Sequence, residues 1–172
     1  MLREASRSLV LDAFSRIAST VAVVSAAHDG TLRAMTVTSF ATLSMAPPRI
    51  LVCVAKAART HAALTAQPAF AVNLLAEDQE DLARIFATSE PAKHSAGGLR
   101  VLDGGVPVVP GAAASLICHR EKIHDEGDHD IVIARVVAVT TADSPPLLHH
   151  RRTFKAVGSA TGRVTAEGPA SV

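Results

Sequence analysis

Three histidines, His119, His124 and His129, fall five residues apart among Asp125, Asp128 and Asp130. Imidazoles interleaved with carboxylates are the raw material of a metal centre. A five-residue step matches neither a helix pair nor a zinc spacing, and along a strand it alternates faces. No metal set is therefore expected. His129 stands out for another reason: it sits where a turn enters a strand, directly after Asp128. Its imidazole can carry charge or orient a bound group near neutral pH. It is the best single candidate for a catalytic side chain.

A second concentration of charge is Lys56 and Arg59, with Thr60 at an expected helix start. Free N–H groups at a helix N-terminus, with cations beside them, form an anion site. The thiols of Cys53 and Cys118 both lie in apolar segments and read as small buried hydrophobes. There is no C-x-x-C pair for zinc. No G-x-G-x-x-G follows a strand, and there is neither a G-x-x-x-x-G-K-[ST] loop nor a G-x-S-x-G elbow. A Rossmann site, a phosphate loop and a hydrolase nucleophile are unsupported.

The elements that must position these residues follow from periodicity. Residues 4–17 carry Leu9, Val10, Ala13, Phe14 and Ile17 at helical spacing. Residues 20–27 read as a strand, and Asp29-Gly30 is a hairpin signal. A second extended stretch covers 32–43, ended by Pro47-Pro48. The continuous apolar run 50–55 reads as a strand buried on both faces. A short helix over 59–65, a strand over 69–75 and a helix over 77–87 follow. In that last helix Phe86 continues a stripe of Leu82 and Ile85, as core residues do. Residues 88–110 read as a long surface loop. Strands over 113–124 and 130–140 flank Asp125-Glu126-Gly127-Asp128, and 147–154 reads as a last strand. Short turns favour antiparallel pairing. The expectation is a mainly β protein, a Greek-key or split β-barrel with peripheral helices. Residues 1–158 form its one domain, and 159–172 a loose tail.

Composition narrows the function classes. Of 172 residues, 48% are hydrophobic and 19% charged, which suits one globular domain. The net charge of +1 supplies no field for nucleic acid, and with no Trp or Tyr and five Phe there is little to stack on bases. No apolar run approaches the roughly 18 residues of a membrane helix. Met1 to Ser8 is polar, without a signal-peptide core behind it, so neither membrane nor export is expected and the cytoplasm is the default.

Four segments, in order, resemble the flavin reductase family of FMN-binding split barrels. They are Met35-Thr36-Val37-Thr38-Ser39-Phe40 with Leu43-Ser44 and Pro47-Pro48; Leu51-Val52-Cys53-Val54-Ala55-Lys56 leading to Arg59-Thr60; Phe70-Ala71-Val72-Asn73-Leu74-Leu75 with Gln79, Leu82 and Phe86-Ala87; and Gly127-Asp128-His129 running into Ile131-Val132-Ile133. The resemblance spans roughly residues 9–154. It implies an NAD(P)H:flavin oxidoreductase, a homodimer that uses FMN or FAD with NADH or NADPH and serves a partner monooxygenase.

The resemblance also assigns residues. Met35 to Phe40 would line the flavin ring and ribityl chain, offering hydroxyls and backbone N–H groups. Cys53, Val54, Ala55, Lys56, Arg59 and Thr60 would bind the cofactor, the loop at 56–60 holding its phosphate. Phe86 would approach the cofactor, and His129 would lie where the nicotinamide docks. This chain departs from the family where Ala57 replaces a frequent Ser and where His149-His150 replace frequent aromatics. The alternative is a non-catalytic flavin-binding redox or electron-transfer module on the same barrel.

Overall fold

The computed structural model describes residues 4–88 and 98–157. In chain order the first elements are helix α1 (Arg7–Ser15) and strands β1 (Ser19–Thr20), β2 (Ala22–His28), β3 (Thr31–Val37), β4 (Phe40–Met45) and β5 (Pro48–Ala55). Helix α2 (Arg59–Ala66), strand β6 (Ala69–Leu74) and helix α3 (Glu80–Ala87) come next. Then follow β7 (Arg100–Val101), β8 (Pro107–Val108), β9 (Ala114–Glu126), β10 (His129–Thr141), β11 (Leu148–His150) and β12 (Thr153–Lys155). The tail expected over 159–172 lies outside the described residues.

Seven strands form the main sheet in the order β3-β2-β6-β9-β10-β5-β4, every neighbour antiparallel. This is the mainly β split barrel expected. Asp29 and Gly30 take φ of 48° and 71°, so the β2–β3 hairpin closes on a two-residue turn whose twist matches the strands. The long β9–β10 ribbon turns at Gly127-Asp128, with Gly127 at φ 65°.

The extended stretch over 32–43 is not one strand. It breaks after Val37, where β3 leaves β2 and the chain crosses to pair with β5 as β4. Ser39 bridges the gap: the Cys53 N–H donates to the Ser39 carbonyl (2.8 Å), and the Ser39 hydroxyl donates to the Cys53 carbonyl (3.0 Å). β-Propensity runs straight through this point because only the partner strand changes, and that change leaves no local trace.

The strand over 50–55 is not buried on both faces either. Ile50, Val52 and Val54 are buried, while Leu51, Cys53 and Ala55 alternate with them on a half-buried outer face. The doubly buried strand is β2, whose Ala22, Val24 and Ala26 face the barrel interior and whose Val21-side neighbour Val23 faces a second cluster with Ala83 and Phe86 of α3. Helix α2 packs Ala63 and Leu64 into the interior cluster. The two helices thus clamp opposite faces of the β2–β3 hairpin, and their ends converge on it.

Two further expectations change. Within the loop expected over 88–110, residues 89–97 are outside the described set, but β7 and β8 pair and Val106, Val108 and Val109 are buried. Residues 147–154 hold two strands, not one, since Arg151 and Arg152 (φ 48° and 62°) turn the chain back. Arginine is no turn signal, so the reversal is silent in the sequence. Helix α1 is shorter than 4–17 and buries none of its residues; Phe14 stays 65% exposed.

Asn73 is fully buried and satisfied on all sides. Its amide donates to the Val23 carbonyl (2.9 Å) and the Ser25 hydroxyl (3.0 Å), and its carbonyl accepts from the Val109 N–H (3.1 Å) and the Ser115 hydroxyl (2.8 Å). Ser25 in turn donates to the Pro107 carbonyl (2.6 Å). The segment 107–109 is pinned to the barrel by this network, as a buried polar cluster must be fully paired to be tolerated.

Candidate functional site

Edge strand β3, the entrance to α2 and the end of α3 enclose a cleft of about 250 Å³. Met35 and Thr36 form one wall, Ala57 to Thr60 a second, and Phe86 to Thr88 the third. A neighbouring hollow of about 240 Å³ shares Thr36 and Ala87 with it and adds Val21, Val37, Thr38, His149 and Phe154. The two are compartments of one groove, of the size range of a small-ligand site.

The α2 side of the cleft is built for an anion. Ala58 caps the helix without a side-chain hydrogen bond; the His61 N–H closes back on the Ala58 carbonyl (2.9 Å), and the N–H groups of Arg59 and Thr60 are left at the open end of the helix. Thr60 is 1% exposed and lines the cleft, and its hydroxyl has no hydrogen-bond partner among the described residues. A buried unpaired hydroxyl is costly unless a ligand completes it. Arg59 also lines the cleft and makes no ion pair among the described residues. Helix dipole, backbone donors, a hydroxyl and a cation thus stand on one side of the cleft.

The β3 side is held by tertiary contact. The Thr36 hydroxyl donates to the Ala83 carbonyl (2.8 Å), tying β3 to α3. Its donor is therefore used inside the fold, as is that of Ser39. What β3 offers a ligand is the unpaired edge of its backbone, since it is the terminal strand of the sheet. In the neighbouring hollow the Phe154 ring meets His149 edge-on at 5.5 Å, and the Arg84 guanidinium lies 5.0 Å from its centroid.

Of the residues singled out in the sequence, Met35, Thr36, Arg59, Thr60 and Phe86 meet in the first compartment, and Val37 and Thr38 in the second. Phe40 packs against the barrel interior, and Val54 lies inside it, fully buried. Cys53 and Ala55 sit on the outer face of β5. Cys118 is buried, and burial pushes its thiol up to about 12. Among the described residues no cluster of three ligands for a metal exists.

Lys56 and His129 lie at the β9–β10 turn. The Lys56 ammonium reaches Asp125 (2.8 Å) and the Gly127 carbonyl (2.8 Å), and the hydrogen bond to Asp125 holds it above the ordinary lysine range. His129 Nδ1 donates to the Asp128 carboxylate at 2.7 Å. That bond, before all else, holds the Asp128 carboxyl below the usual carboxylate range. It also restrains the ring through Nδ1 and leaves Nε2 without a partner among the described residues; the side chain is 44% exposed. Register places His129 opposite Ala55, alternating with the buried Asp130.

Sequence reasoning missed one pair. His61 Nε2 on α2 donates to the Asp130 carboxylate at 2.7 Å, and Lys56 stands 3.8 Å from the other oxygen. Nothing local announces a contact across 69 residues.

Comparison with known proteins agrees with this architecture. The family model described as "Flavin reductase like domain" matches residues 14–158. The chain is 35% identical over 147 residues to the NADH:riboflavin 5'-phosphate oxidoreductase of Streptomyces pristinaespiralis, covering 83% of this chain and 84% of that one. It is 31% identical to the flavin-dependent monooxygenase reductase subunit HsaB of Mycobacterium tuberculosis, over 80% and 75% of the two chains. Among solved structures, the NADH:FAD oxidoreductase SgcE6 of Streptomyces globisporus, in complex with NAD and FAD fragments, superposes with a TM-score of 0.86 at 30% identity, covering 91% of this chain and 96% of that one. The family match, the relatives and the shared split barrel establish that this chain belongs to the flavin reductase-like domain family.

Proposed function

We propose that the chain is an NAD(P)H:flavin oxidoreductase that carries hydride from a reduced nicotinamide to FMN or FAD. The observation that carries this reading is the anion-ready first turn of α2, with Arg59 and the buried, unpaired Thr60 hydroxyl facing the cleft. These groups suit a flavin phosphate even though Ala57 offers no hydroxyl. Bound flavin supplies the electron-accepting ring, and the nicotinamide supplies the hydride.

The remaining work is positioning. Arg59, Thr60 and the first-turn N–H groups anchor the phosphate end. The free edge of β3 at Met35 to Thr38 offers backbone donors and acceptors to the ring and its side chain. Phe86 and Ala87 close the apolar wall. His129, with Nδ1 committed to Asp128, presents Nε2 toward the docking donor. Names among the relatives that specify monooxygenase reductase subunits support a partner monooxygenase as the consumer of reduced flavin.

A homodimer belongs to the same reading. The outer face of β5 and β10 carries Leu51, Cys53, Ile131 and Ile133 only half-buried, with Leu43, 46% exposed, beside Ile133. A second copy covering this face would shut out water beside His129. We place the protein in the cytoplasm and take residues 1–158 as its working unit; no helix among the described residues is long and apolar enough to cross a membrane.

The test is direct. Purified protein is mixed with excess FMN and either NADH or NADPH, and absorbance at the nicotinamide band is followed. Protein-dependent oxidation is expected. No rate above background with either donor would leave a flavin-binding module without turnover.

A further inference from the structure

The segment 57–60 supplies four of the residues around the first compartment, and both of its ends are tied to one carboxylate. Lys56 precedes it and lies 3.8 Å from Asp130 Oδ1; His61 follows it and donates to Asp130 Oδ2 at 2.7 Å. Asp130 is 7% exposed and projects from β10 toward the core side, opposite Val54. A second tie reinforces the first end, where the Lys56 N–H donates to the Asp128 carbonyl at 3.0 Å. A buried carboxylate with both oxygens engaged is rigid, and losing either partner leaves charge uncompensated.

We propose that Asp130 is a positioning residue: it staples the two ends of the 57–60 segment to the β9–β10 ribbon and so sets the geometry in which Arg59, Thr60 and the first turn of α2 grip the flavin phosphate. This rests on reading the cleft as the flavin site. Asp130 touches no ligand itself. It acts by removing in advance the freedom that phosphate binding would otherwise have to freeze. Its strand neighbour is His129, so one short stretch of β10 fixes the anion loop on one side and the donor-facing imidazole on the other.

The experiment compares FMN with riboflavin, which has the same ring and no phosphate. Binding of each to the full chain is titrated by fluorescence quenching. The unaltered protein should bind FMN at least about tenfold more tightly than riboflavin, as a charge-assisted phosphate contact implies. Asp130→Asn should weaken FMN by about tenfold and leave riboflavin within about twofold. His61→Ala should act in the same direction, and the double variant should lose little more than Asp130→Asn alone, since the two act through one contact. With saturating FMN, kcat should hold while KM for flavin rises. Equal loss of FMN and riboflavin in both variants would mean a general structural role and overturn the proposal. So would an unchanged FMN preference. If the unaltered protein does not prefer FMN, the phosphate reading of the cleft has failed, and the proposal with it.

Discussion

A histidine is useful to hydride transfer only if its ring is held still. The 2.7 Å bond from His129 Nδ1 to Asp128 does this at an otherwise open turn. His129→Ala should lower turnover ten- to hundredfold, about 1.4 to 2.7 kcal/mol, with FMN affinity unchanged. Steady-state rates beside flavin titrations check this; a collapse of flavin binding would make the residue structural. The bond also has a pH signature. The folded Asp128 carboxyl titrates below its ordinary value, so whatever the pair contributes is present above the usual carboxylate range and lost as pH falls through the folded value. The Asp128 side-chain carboxyl signal in an NMR pH titration should therefore show a midpoint below the usual aspartate value, and His129→Ala should return it toward that value. His129 was legible in the sequence because the turn before it and the acid beside it are local. Asp130 and His61 were not, because their meeting depends on how α2 docks.

At the level of elements, the site depends on helices holding a single edge strand. The Thr36 hydroxyl is the polar tie between β3 and α3. Thr36→Val keeps the shape and removes one donor from the Ala83 carbonyl, which should cost about 1 kcal/mol. Thermal unfolding should show a lower Tm, and FMN should bind more weakly because the β3 wall loosens. Hairpins marked by Asp-Gly, and helices marked by apolar stripes, were readable in advance. The division of 32–43 between two partners was not, because strand propensity reports extension and says nothing about pairing. The reversal at Arg151-Arg152 was hidden for a related reason: tertiary pairing of β11 with β1 and β12 overrides the poor turn preference of arginine.

For the whole molecule, the antiparallel barrel followed from the short turns between strands. What the sequence could not reveal is which apolar surface remains outside. Ile133 lies on the outer face of β10, beside Leu43, Arg49, Glu121 and Lys122. Ile133→Asp places a carboxylate on the face assigned to the second copy. Light scattering after size exclusion should show a shift from dimer to monomer, with a fall in NADH oxidation and little change in Tm. A monomeric unaltered protein would remove the dimer from the reading.

The Asn73 network carries a consequence of a different kind. Both protons of its side-chain amide are committed in a buried interior, one to Val23 and one to Ser25, while Val109 and Ser115 hold its oxygen. Asn73 is fully buried, so those two protons reach water only through an opening that exposes this cluster. Their exchange with deuterium is thus an internal clock for that opening, readable without flavin, donor or turnover. It should run at the rate of the slowest backbone amides of β2 and β6, not at that of the surface loops.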